Sequence, residues 1–191
     1  MTRFRRLLFC GLTITALLCL SMILTSAQAP TFSSLYTNLK TGCKAAIKLK
    51  RGEELQGDDM PLRCKGYGGY EVRIDYSAAS SELRLEPVGD ARAAGTDDGA
   101  IRLGSQPLSY NLTHKIEWRM SKGKPFAVIY RIDKSKSDQP EEMWSPKNKL
   151  GESLMIKGLK GFEQIDFEID AKTPGANVKA REMADQAYAR K

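Results

Sequence analysis

The chain predicts a mainly β protein, an antiparallel sheet arranged as a sandwich or small barrel with a C-terminal α-helix packed on it. Two observations carry this. Polar and apolar residues alternate with period two over most of the length, as in Tyr70-Glu71-Val72-Arg73-Ile74-Asp75-Tyr76, and the last 16 residues change to a spacing of three and four. Period two places successive side chains on opposite faces of a strand, and the longer spacing marks one face of a helix.

The elements follow in order. Short strands are expected at Ser34–Leu39 and Ala100–Leu103. Tyr70–Tyr76 presents Tyr70, Val72, Ile74 and Tyr76 to one side and Glu71, Arg73 and Asp75 to the other. After Ser77–Ser80, Leu83 and Leu85 alternate with Glu82, Arg84 and Glu86 until Pro87, which makes a hairpin with the preceding strand. A second hairpin sets Ile116, Trp118 and Met120 against Lys115, Glu117 and Arg119, turns at residues 121–125, and returns as Phe126–Asp133. In that return strand Phe126, Val128, Tyr130 and Ile132 are expected on one face and Ala127 and Ile129 on the other. Apolar residues on both faces indicate a strand covered on both sides. A third pair is expected at Ser153–Leu159 and Glu163–Asp170, and loops at Gly89–Gly99 and Lys134–Lys149. The helix runs over about 176–190, with Ala180, Met183, Ala184, Ala187 and Tyr188 on its apolar face. Asn177, or Thr173 followed by Pro174, is the expected cap at its start.

The N-terminus has its own character. Arg3, Arg5 and Arg6 precede an apolar stretch from Leu7 to Leu24 and the small-residue exit Thr25-Ser26-Ala27. This is an export signal over residues 1–27, with Ala29 as a second cleavage point. An uncleaved anchor is the competing reading of the same stretch. Cleavage leaves residues 28–191 as one β-rich domain with no stable membrane span, working in the periplasm or secreted. It also leaves two cysteines, Cys43 and Cys64, which an oxidising compartment joins in a disulfide. The formal charge of +7 falls to +4 once the signal's three arginines go, leaving 27 basic against 23 acidic residues. Acidic and basic residues alternate along the chain, so no nucleic-acid partner is expected. The one local basic excess is Lys40, Lys44, Lys48, Lys50 and Arg51.

Enzyme signals are sparse. His114 is the only histidine and no Gly-x-Ser-x-Gly elbow accompanies it. No metal site or cofactor is expected, since zinc takes clustered His and Cys ligands and phosphate loops and dinucleotide fingerprints are missing. No catalytic residue is assigned. The acidic doublets Asp58-Asp59, Asp97-Asp98 and Glu141-Glu142 read as solvated loop acids, and Asn111-Leu112-Thr113 matches a glycosylation acceptor. The most distinctive segment is Cys64-Lys65-Gly66-Tyr67-Gly68-Gly69-Tyr70. Its glycines permit positive φ or close approach, and its tyrosines carry large rings with a polar tip. Tyr67 and Tyr70, with Trp144 in the polar loop, form the candidate binding surface for a protein or an envelope glycan.

The Cys-x-Gly-x-Gly-Gly-Tyr segment, Glu117-Trp118-Arg119 before a turn, Pro125–Arg131, and the ending Gly175-Ala176-Asn177 … Ala180–Asp185 together resemble small exported proteins of proteobacteria. The resemblance spans most of the mature chain, although the further cysteine that several of those proteins carry near the end is missing here. It implies a bacterial envelope location and brings no established activity. Two function classes follow: a non-enzymatic binding module, and alternatively a carboxylate-dependent hydrolase in the periplasm or outside the cell.

Overall fold

The structure, a computed structural model, describes residues 30–39, 43–46, 61–76, 80–89, 99–107, 115–137, 139, 142 and 145–191. The chain divides into two compact units, Met1–Pro30 and Thr31–Lys191, and every element below lies in the second. The export signal, His114, Trp144, the Asn-Leu-Thr acceptor and the first two acidic doublets fall outside the described residues.

The strands are β1 (Phe32–Asn38), β2 (Cys43–Ala45), β3 (Leu62–Lys65), β4 (Tyr70–Tyr76), β5 (Ser80–Pro87), β6 (Ile101–Pro107), β7 (Lys115–Ser121), β8 (Lys124–Ser135), β9 (Lys149–Gly158) and β10 (Asp166–Asp170). One helix, α1 (Ala176–Ala189), ends the fold. Two five-stranded sheets result, ordered β1-β7-β8-β9-β10 and β2-β3-β4-β5-β6. Every neighbouring pair is antiparallel. The second sheet is a simple meander; the links β3–β4 and β4–β5 are too short for the long crossover that a parallel neighbour needs.

The three expected hairpins form as β4–β5, β7–β8 and β9–β10. β2 and β3 have only three and four residues, too short for alternation to show in sequence. β8 and β9 are longer than expected and take Lys134, Ser135 and Lys149 from the two ends of the 134–149 loop. β10 is shorter, because residues 159–165 form turns.

The two sheets face each other across one core. Val72, Ile74, Leu83, Leu85 and Leu103 from the meander meet Ile116, Trp118, Met120, Val128 and Tyr130 from the other sheet. Trp118 anchors this layer, fully buried, with its indole N–H donating to Thr37 Oγ1 at 2.9 Å. A second apolar layer lies on the far face of the β1-β7-β8-β9-β10 sheet, where α1 lays Ala176, Ala180 and Ala184 on Ala127, Ile129, Leu154 and Ile156. Alanine at these positions lets the helix approach the sheet closely.

Phe126 departs from the expected alternation. Arg119 pairs with Ala127 and Met120 with Pro125, so Phe126 is the extra residue of a β-bulge. The bulge turns its ring away from Val128 and Tyr130 toward the helix, where it meets Tyr188 at 4.6 Å and Phe162 and Phe32 at 5.8 Å between centroids. The helix start also differs. Gly175, with φ 71°, occupies the cap, and no side chain caps it. The Thr173 carbonyl instead accepts from the Ala176 N–H at 2.9 Å.

Candidate binding surface

The Cys64–Tyr70 segment is the hairpin between β3 and β4. Gly68 and Gly69 have φ of 62° and 87°, and the Tyr70 N–H donates to the Tyr67 carbonyl at 3.1 Å. Positive φ at both central residues is what a tight turn matched to strand twist needs, hence the glycine pair. Gly66 serves a different purpose, close approach: a Cβ there would lie 2.3 Å from the Tyr70 carbonyl oxygen. One strand earlier, Cys43 stands directly opposite Cys64, and the two sulfurs lie at disulfide-bonding distance.

Tyr67 and Tyr70 are half-buried. Their rings lean on Trp118 at 6.2 and 6.4 Å between centroids, and the Tyr70 hydroxyl accepts from the Lys160 N–H at 3.0 Å. Each therefore packs on the core and also lines a surface recess. One recess, of about 290 Å³, places Tyr67 and Gly66 beside edge strand β1 at Leu35–Asn38. The other, of about 460 Å³, is lined by Lys44, Arg63, Lys65, Gly66, Tyr70 and Glu71, with Val88 at its apolar side. Trp144, the third residue of the expected surface, lies outside the described residues.

The outer face of the meander holds residues whose arrangement the linear sequence conceals. Lys44 pairs with Arg63, Arg63 with Arg73, Arg73 with Arg84 and Arg84 with Arg102, so five cations stand in one row across β2–β6. Like charges directly opposite one another repel. Rows of acids on either side offset them. Arg63 bonds Glu71 at 2.7 Å, Arg73 bonds Asp75 at 2.8 Å, Arg84 bonds Asp75, and Arg102 lies 3.5 Å from Glu82. Glu86, with a side chain only 3% exposed, sits 3.8 Å from both Arg63 and Arg73. At one end the balance thins: Lys65 stands opposite Glu71, which bonds Arg63 instead, neither Lys44 nor Lys65 makes an ion pair among the described residues, and both open onto the larger recess. Each strand by itself shows only mixed charge. A row appears once register is known, and no signal within one strand gives the register.

A second polar cluster joins α1 to its sheet. Arg119 holds Asp185 through Nε at 3.1 Å and Nη2 at 2.5 Å and donates to Ser34 Oγ at 2.6 Å. Arg181 grips Glu117 at 2.6 and 3.2 Å and reaches the Tyr36 hydroxyl at 2.9 Å. The Glu117 hydrogen bond raises the Arg181 pKa above its ordinary value. Among the described residues no group of three or more His, Cys, Asp and Glu side chains is placed to hold a metal ion. None of their helices is long and apolar enough to cross a membrane.

The fold and this surface define a disulfide-linked β-sandwich backed by a helix, with a basic, tyrosine-lined recess at one end of its meander sheet. No known protein family, no curated protein and no solved structure matches the chain.

Proposed function

We propose that this protein is an exported, non-enzymatic binding module of the bacterial envelope, acting in the periplasm or outside the cell on a protein or cell-envelope component. The observation that carries this reading is the pair of recesses flanking the Gly66–Tyr70 hairpin, which bring together the half-buried Tyr67 and Tyr70 and the exposed Lys44 and Lys65. Recognition sites commonly combine amphipathic rings with a few placed charges on a rigid scaffold. Here the scaffold is a sheet pinned by the Cys43–Cys64 pair and by Tyr70 packed on Trp118. The export reading rests on the Arg3–Ala27 pattern, the cysteine pair and the resemblance to exported proteobacterial proteins.

The carboxylates also favour binding over hydrolysis. General acids need a raised pKa. Glu168 is instead held below the ordinary glutamate value by hydrogen bonds from Lys134 and Ser153, and Glu163 by backbone N–H groups beginning with that of Gly161. Glu71, Asp75, Glu86 and Glu117 are committed to arginines.

Cell fractionation and a pull-down from a periplasmic extract, read by mass spectrometry, test this. The expected results are a processed chain outside the inner membrane and one enriched envelope component. A full-length chain in the inner membrane overturns the export reading, and turnover of an envelope polymer by the purified protein overturns the non-enzymatic one.

A further inference from the structure

We propose that the Lys44–Lys65 end of the meander sheet is a binding site for an acidic sugar, a ring carrying a carboxylate within an anionic glycan. This rests on the binding-module reading and names its ligand class.

Register sets the charge. With Lys65 added, the row Lys44–Arg63–Arg73–Arg84–Arg102 makes six cations against the four acids Glu71, Glu86, Asp75 and Glu82, and the two cations without an ion pair among the described residues, Lys44 and Lys65, stand at the β2–β3 edge. Lys44 and Lys65 are both exposed on strands and converge on the recess of about 460 Å³. Arg63 lies between them. It spends Nη1 on Glu71, while its buried Nε has no hydrogen-bond partner among the described residues. Two exposed ammonium groups with no ion pair among the described residues, and a half-committed guanidinium, make an anion site.

The remaining lining selects for a sugar over a bare anion. Glu71 brings a hydrogen-bond acceptor, which a sugar hydroxyl can satisfy and a bare anion without a donor cannot. Tyr70 and Val88 supply the apolar surface against which the C–H face of a pyranose packs. The recess is also large enough for one ring, at the lower end of the range for small-ligand sites.

The test is titration calorimetry of the purified protein with a hexamer of galacturonic acid, its fully methyl-esterified form, and inorganic phosphate. Two double variants remove equal charge: Lys44→Gln with Lys65→Gln at the site, and Lys172→Gln with Lys179→Gln near and on α1, behind the other sheet. All four lysines are exposed, so both variants keep the fold, checked by their unfolding midpoints. The expected result is binding of the acid that weakens with salt and is absent for the ester. Loss of Lys44 and Lys65 lowers the affinity about tenfold or more, and the control pair changes it less than about twofold. Equal weakening by the two variants would reduce the effect to net charge and overturn the site. Equal binding of ester and acid, or phosphate binding as tightly as the hexamer, overturns the acidic sugar. No binding by the unmodified protein overturns the inference alone; the binding-module reading then stands or falls on its own pull-down.

Discussion

At the scale of single residues, two positions show how local chemistry fixes this structure. Gly66 is required by proximity, since its missing Cβ is what lets the Tyr70 carbonyl pass. Gly66→Ala is expected to cost about 1–3 kcal/mol by overpacking. Denaturant unfolding measures the loss, and Trp118 fluorescence should change with it because the Tyr67 and Tyr70 rings lean on that indole. Glu168 shows the opposite economy, an exposed side chain whose ionisation is held by neighbours. Hydrogen bonds from Lys134 and Ser153 lower its pKa from the ordinary 4.5. A depressed carboxylate stabilises the fold above its unfolded value and loses that contribution as pH falls through the folded value. Stability should therefore decline as acid is added from pH 4.5 downward, and Glu168→Gln should flatten that decline. Carboxyl-carbon shifts followed by NMR should give a Glu168 midpoint below that of an ordinary glutamate.

Among the elements, α1 is held by more than its alanine stripe. Alanines bury little apolar area, and the Arg119–Asp185 and Arg181–Glu117 pairs fix the helix laterally on β7. Arg119 is 7% exposed, so removing its partner leaves a nearly buried charge uncompensated. Asp185→Ala should destabilise by up to about 3 kcal/mol, because breaking a buried pair costs more than the pair contributes. Amide exchange should rise first within Ala176–Ala189 and leave the β4–β5 hairpin protected; uniform loss of protection would show that helix and sandwich unfold together. The bulge in β8 belongs to this scale too. The pattern Phe126-Ala127-Val128-Ile129-Tyr130 reads as unbroken alternation, and only pairing with β7 reveals that one residue is extra. A bulge is a property of two strands, so a single strand cannot announce it.

For the molecule as a whole, the Cys43–Cys64 pair ties an edge strand to its sheet across a sequence separation of 21. Chain-entropy reasoning values such a closure at about 3 kcal/mol. Replacing both cysteines by serine should lower unfolding free energy by at least about that amount in the oxidised protein and by clearly less under reducing conditions, where only the buried hydroxyl at position 64 adds a cost. Cys64 and Cys43 touch only the edge-strand end of the core between the sheets, most of which comes from β4–β8, so the double variant should still fold, and a spectrum lacking β structure would show that the sheet depends on the bond. The mainly β class, the three hairpins, the helix at about 176–190 and the two-sided covering of β8 were legible in sequence, because each rests on periodicity within one segment. Cys43 and Cys64 were identified as partners from number and compartment before their facing positions were known. Strands β2 and β3 were not legible, being shorter than the alternation that would reveal them. Strand order, the division into two sheets, the bulge at Phe126 and the cation row ending at Lys44 and Lys65 are facts about register between strands. Register is chosen by burial of whole faces and by turn geometry, which act only once the chain has folded upon itself.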